Sequence, residues 1–80
     1  MEAMADAAVM YGVPRSTAYQ MVARMMEGTA ALQLASGKHP AAMKDEVCSP
    51  GGSTIRGIAS LEEHGFRGTV IDAVKAIEGK

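Results

Sequence analysis

The stretch that decides the fold is residues 16–36, STAYQMVARMMEGTAALQLAS. Ala18, Met21, Val22, Met25, Thr29 and Leu32 recur at intervals of three, four or one, the spacing of a single helix face. Met26, Ala30 and Leu34 put further apolar atoms on its flanks. Ser16 is the N-cap candidate and Gly37 the stop. A helix that is apolar most of the way round must be covered on several sides. In so short a chain a second copy is expected to supply the missing cover. A small monomeric bundle softened by methionine is the plainer alternative. Gly28 interrupts the run at a cost of about 1 kcal/mol against Ala, which predicts close approach of another backbone there.

Outward from this element the pattern stays helical. Upstream, Met4, Ala7, Ala8 and Tyr11 make one face of a helix over residues 2–11, closed by Gly12 and Pro14. Downstream, His39-Pro40 opens a short helix within Lys38–Cys48, with Ala41, Ala42, Met43 and Val47 as its apolar side. Ile55, Ile58 and Leu61 lie on a fourth helix that ends at His64-Gly65. Val70, Ile71, Val74 and Ile77 lie on a fifth, from Phe66 to about Glu78. No stretch alternates as a strand would, and there is no internal repeat. The fold class read from this pattern is all-α: a small bundle of about five helices that interleaves with a second copy.

Composition narrows the functional classes. The 80 residues admit one small domain. Eight Lys and Arg against nine Asp and Glu argue against a generic polyanion binder. The 48% apolar content excludes a disordered tail. Cys48 is the only cysteine, so no intrachain disulfide forms. A zinc site would have to draw on Cys48, His39 and His64, whose separations of nine and sixteen residues match no compact ligand motif. No apolar run approaches the roughly 18–20 residues of a membrane span. The N-terminal MEAMADAA lacks the features of a secretory signal or transit peptide. The cytoplasm is the expected compartment.

The chemistry concentrates in Ser49-Pro50-Gly51-Gly52-Ser53-Thr54. Pro50 fixes one φ angle, and the two glycines let a ligand approach the main chain. Ser53 and Thr54 fall where a helix begins, so the first amide N–H groups there lack intrahelical partners. The helix dipole adds partial positive charge. Such an arrangement takes a carboxylate or phosphate, with hydroxyls at its edge. It is not a Walker loop, because the Gly-Lys-Ser/Thr ending is missing, and it is not a dinucleotide fingerprint. An ordinary helix start has the same composition, and local chemistry leaves both readings open.

A resemblance carries the reading further. Gly37-Lys38-His39-Pro40, the run from Lys44 through Ser49-Pro50-Gly51-Gly52-Ser53-Thr54 to Ile55, then Gly57, then Leu61-Glu62-Glu63-His64-Gly65-Phe66-Arg67 resemble the C-terminal helical domain of the pyrroline-5-carboxylate reductase family. Ala5-Asp6-Ala7-Ala8-Val9 and Tyr11-Gly12-Val13-Pro14 resemble its upstream stretch, so the resemblance covers about residues 2–77. It implies reduction of 1-pyrroline-5-carboxylate to L-proline with NADPH or NADH, the last step of proline biosynthesis. It implies a homodimer of interleaved helices, which in many members assembles into a decamer. It also implies an active site between this helical domain and a Rossmann domain that holds the cofactor. Carried over by position, the main-chain amides of Gly52, Ser53 and Thr54 grip the substrate carboxylate, and Gly51 belongs to the same turn. The Thr54 hydroxyl lies near the imine nitrogen, as a hydrogen-bonding partner rather than a general acid. Val47 and Ser49 shape the pocket wall.

The sequence departs from that family in one large respect. No Gly-rich strand–turn–helix occurs in the 80 residues, so no cofactor-binding residue is assigned. The chain reads as a C-terminal piece of a reductase subunit without its N-terminal Rossmann domain. By itself it is expected to bind no cofactor and to be inactive.

Residues 5–25 offer an alternative, a helix-turn-helix that binds DNA. A Gly-Val-Pro turn precedes Arg15, Ser16, Thr17 and Tyr19, which could face bases. The balanced charge and the shortage of flanking Lys or Arg weigh against it. It also leaves the Ser-Pro-Gly-Gly turn unexplained. Elsewhere Cys48 reads as a small buried side chain, His64 as a partner of a helix C-terminus, and Glu62-Glu63 as solvated surface. Met21, Met25 and Met26 read as core or dimer interface rather than a metal site.

Overall fold

The computed structural model describes residues 1–79, and among them are five helices and no strand. These are α1 (Glu2–Met10), α2 (Arg15–Ser36), α3 (Pro40–Val47), α4 (Ser53–Glu63) and α5 (Phe66–Glu78). The all-α class and the helix count agree with the periodicity. The chain forms two compact units, residues 1–40 and the residues from Ala41 onward.

In the first unit α1 packs on α2. Ala5 and Ala18 have no exposed surface, and Val22 is 8% exposed. Ala8, Val9 and Val13 pack against these three. Small side chains at the crossing let two helix axes come close, which is what two alanines accomplish here. Arg15 donates to the Asp6 carboxylate, tying the start of α2 to α1. The same guanidinium lies 5.7 Å from the centroid of the Tyr19 ring. The Asp6 hydrogen bond raises the Arg15 pKa above its already high ordinary value.

Two sequence expectations change in this unit, the cap of α2 and the buried face of α1, and two others concern surface that a second copy would cover. Helix α2 begins at Arg15, with Pro14 as its cap and no side-chain cap hydrogen bond, so Ser16 is not the N-cap. Pro14 already holds the φ that leads into a helix, and Ala18 N–H closes the first turn on Pro14 O at 2.9 Å. The buried face of α1 is Ala5 with Ala8 and Val9; Met4 and Tyr11 are exposed. Nearly every position of α1 is apolar, so periodicity could not single out the face. On α2 only Ala18 and Val22 of the expected face are buried, while Met21, Met25 and Leu32 stay exposed. A Cβ built at Gly28 meets no heavy atom within 4 Å, so no backbone of this chain approaches there. The expected stop at Gly37 holds: it adopts φ 67°, a left-handed conformation that costs glycine little, and its N–H bonds Gln33 O at 2.9 Å.

The second unit contains α3, the Ser49–Gly52 turn, α4 and α5, with α4 packed on α5. His64 ends α4, and its Nδ1 lies 2.8 Å from Ser60 O, the helix C-terminal contact read from the sequence. Arg67 Nε donates to Glu62 Oε1 at 2.7 Å across the α4–α5 corner. Glu62 and Glu63 are both exposed, the solvated surface expected of them, and Glu62 adds this surface ion pair. Cys48 is half-buried rather than buried. No described residue of this unit is fully buried. The apolar faces of α4 and α5, with Leu61, Val70, Ile71 and Val74 between 44% and 56% exposed, are open in one copy.

The tight α1–α2 crossing gives a direct test. Ala18→Leu adds three carbons where no surface is free, and overpacking of this kind costs about 1–3 kcal/mol. Thermal denaturation followed by circular dichroism is expected to show a lower melting temperature for Ala18→Leu than for Ala31→Leu on the exposed side of α2.

Candidate functional site: an anion-binding turn at the start of α4

The residues singled out from the sequence, Val47 to Thr54, lie on one continuous segment of the second unit. Val47 ends α3. Cys48 N–H bonds Asp45 O at 3.2 Å as that helix closes. The chain then reverses through Ser49-Pro50-Gly51-Gly52. Gly52 N–H donates to Ser49 O at 3.0 Å, closing a four-residue turn. Pro50 occupies the second position and Gly51 the third, with φ +70°. Proline second and a positive φ third are the marks of a type II turn. Only glycine holds that φ cheaply, since an L side chain there costs roughly 1–2 kcal/mol.

Gly52 has no room for a side chain while Ser49 keeps its place. A Cβ on it would lie 2.5 Å from Ser49 Oγ and 3.2 Å from Ser49 O. Ser49 therefore folds back over the turn, and the absent side chain at Gly52 leaves it room. Gly52 is in extended conformation, φ −79° and ψ 172°, and caps α4. It supplies no side-chain cap hydrogen bond. The amides of the first helical turn, Ser53, Thr54 and Ile55, accordingly have neither an intrahelical partner nor a side-chain cap. Ser49, Ser53 and Thr54 are exposed, and Gly52 is half-buried.

This geometry refines the set of amides. Gly52 N–H is engaged in the turn, so the donors left for an anion begin at Ser53. There is no acidic residue in the first turn of α4 to fill that place. The N-terminal end of the dipole thus stays electropositive. One participant escaped the sequence reading: Arg56 Nη1 donates to Gly51 O at 3.0 Å. The signal available was a lone arginine three residues into a helix, where a cation is unfavourable unless it has a local task.

The other candidate elements behave differently. Arg15, the leading residue of the helix-turn-helix alternative, is bound to Asp6 and stacked near Tyr19 within its own unit. Among the described residues no three His, Cys, Asp or Glu side chains come together as metal ligands would. No described helix is long and apolar enough to cross a membrane. A dinucleotide cradle of the Rossmann kind needs a strand leading into a glycine-rich turn. The described residues contain no strand, so they do not fit that group.

Comparison with known proteins bears on the same residues. The family model for pyrroline-5-carboxylate reductase dimerisation matches residues 1–80. The chain is 60% identical over 76 residues to a pyrroline-5-carboxylate reductase of Treponema pallidum, covering 95% of this chain and 29% of that relative. It is 54% identical over 74 residues to a reductase of the same name from Escherichia coli K12, covering 92% and 28%. A relative of that name from Pisum sativum is 47% identical over 76 residues, covering 95% and 28%. The chain spans less than a third of the length of these relatives. The matches favour the reductase reading over the helix-turn-helix one.

The turn geometry predicts a graded response at one position. Gly51→Ala is expected to cost about 1–2 kcal/mol, because alanine resists the left-handed conformation. Gly51→Asn is expected to cost less, since asparagine tolerates that region. Midpoints of urea denaturation for the two variants check the order.

Proposed function

This chain belongs to the pyrroline-5-carboxylate reductase dimerisation family, and from that premise we propose that it pairs with a second copy and holds the carboxylate of 1-pyrroline-5-carboxylate while the imine is reduced to L-proline. The observation that carries the proposal is the Ser49–Gly52 turn, which presents free Ser53 and Thr54 amides at the electropositive end of α4. A substrate whose carboxylate is anchored there has its ring held at a fixed distance and angle. Positioning of that kind is what hydride transfer demands of a protein. Thr54, one residue into the helix, brings a hydroxyl beside the anchored group. Its proposed partner is the imine nitrogen, which gains a proton as the ring is reduced. Val47 and Ser49 flank the turn as pocket wall. NADPH or NADH is the proposed reductant of the complete enzyme. The described residues form no dinucleotide cradle, so the part assigned to them is confined to the substrate. By itself the chain is proposed to be inactive.

The pairing has its own support. Among the described residues Val22 is the one large apolar side chain in the buried set, whereas eighteen large apolar side chains are exposed. Full burial of each is worth about 1.5–3 kcal/mol. Exposed apolar surface on this scale marks an interaction site. A homodimer is the proposed partner arrangement, with a pentamer of dimers as the larger assembly. The lone cysteine fits a reducing compartment, and the cytoplasm is the one proposed.

Two experiments test these statements. Sedimentation equilibrium of the 80-residue chain is expected to give a dimer mass, and Val74→Glu on the open face of α5 is expected to shift it toward monomer. A monomer mass for the parent chain at all concentrations would defeat the pairing. For the site, the chain is grafted in place of the matched segment of the Treponema pallidum relative. Ser53→Pro removes one free amide at a helix position where proline is tolerated. Its KM for the imine substrate is expected to rise about tenfold or more, the worth of a hydrogen bond to a charged group. Thr54→Val is expected to lower kcat about tenfold with the dimer intact. An unchanged KM for Ser53→Pro would sink the carboxylate assignment.

A further inference from the structure

The Gly51–Gly52 peptide group is pinned at both ends. Its N–H, on Gly52, donates to Ser49 O at 3.0 Å. Its carbonyl, on Gly51, accepts from Arg56 Nη1 at 3.0 Å. This peptide leads into Gly52, the cap of α4, so holding it restrains the backbone from which the first helical turn starts. Ser49 can hold only one edge of it. Arg56 reaches back from within α4 to hold the other, and so couples the turn to the helix whose amides it launches.

The charge of Arg56 has a second consequence. A guanidinium near the positive end of a helix is unfavourable by itself. The first turn of α4 carries no acidic residue to offset it. A carboxylate at the Ser53 and Thr54 amides would meet both the dipole and this charge. We propose that Arg56 is a positioning residue for the substrate carboxylate. It fixes the Gly51–Gly52 peptide, thereby aims the Ser53 and Thr54 amides, and adds long-range attraction to the anion. The proposal rests on the carboxylate reading of the turn given above. The carboxylate is unchanged from substrate to product, so Arg56 acts equally on the ground and transition states. Losing such uniform binding raises KM and leaves kcat alone.

The test uses the grafted full-length enzyme, with Arg56→Gln, Arg56→Lys and Ser53→Pro measured side by side at low and high salt. Arg56→Gln is expected to raise KM about two- to fivefold, the range for an exposed charge acting through solvent. Its kcat is expected to stay within about twofold. In the parent enzyme KM is expected to climb with salt, and this climb is expected to flatten in Arg56→Gln. Arg56→Lys keeps the charge but loses the planar fork, so it is expected to restore the salt response and only part of the KM. A KM unchanged in Arg56→Gln while Ser53→Pro raises it would overturn the role of Arg56 and leave the carboxylate site standing. No change in either variant would overturn both. A fall in kcat together with loss of the dimer in Arg56→Gln would mark a merely structural role and would also overturn the proposal.

Discussion

Two alanines without exposed surface, Ala5 and Ala18, hold α1 against α2, and Val22 is the large side chain buried beside them. Side chains this small bring helices close but bury little area. Ordering the backbone costs about 1–2 kcal/mol per residue, and a buried set of three residues does not offset that for a chain of this length. The remaining apolar faces, on α2, α4 and α5, point outward in a single copy. Apolar surface left open on this scale is what an association interface covers. The family model that matches residues 1–80 is one for dimerisation, which accords with that open surface.

The candidate site depends on a different constraint, the path of the backbone from Ser49 to Ser53. Pro50 and Gly51 set the reversal, Gly52 makes room for the Ser49 side chain, and Arg56 fastens the far edge of the turn. None of these residues needs to touch a ligand to matter. They decide where the free amides of α4 point, and a helix N-terminus binds an anion only when its amides are left uncovered. A glycine cap does this directly, because it offers no side-chain oxygen to occupy them.

The two constraints divide the chain's labour. In the first unit the Asp6–Arg15 pair and the alanine crossing set how α2 meets α1, and α2 keeps most of its apolar surface open. In the second unit a short helix, a tight turn and a helical pair carry the candidate anion site. The described residues contain no strand, so they do not make the fold that cradles a dinucleotide.

Much of this was legible in the sequence. Helix period, glycine stops and the Ser-Pro-Gly-Gly-Ser-Thr turn are local features. Local steric rules act on them regardless of context, so five helices and the position of the turn followed from residue order alone. The resemblance to a reductase family, which spans about residues 2–77, is borne out by the matches. Which faces are buried was not legible. Helix α1 is apolar on nearly all sides, so only the partner it meets decides that Ala5 rather than Met4 goes inside. The cap at Pro14, the engagement of Gly52 N–H and the reach of Arg56 to Gly51 were also hidden, because each depends on where a chain already folded brings two groups. Periodicity specifies the kind of element, through forces between near neighbours in sequence; tertiary structure decides which atoms are spent and which remain free, because hydrogen bonds and packing are settled in space.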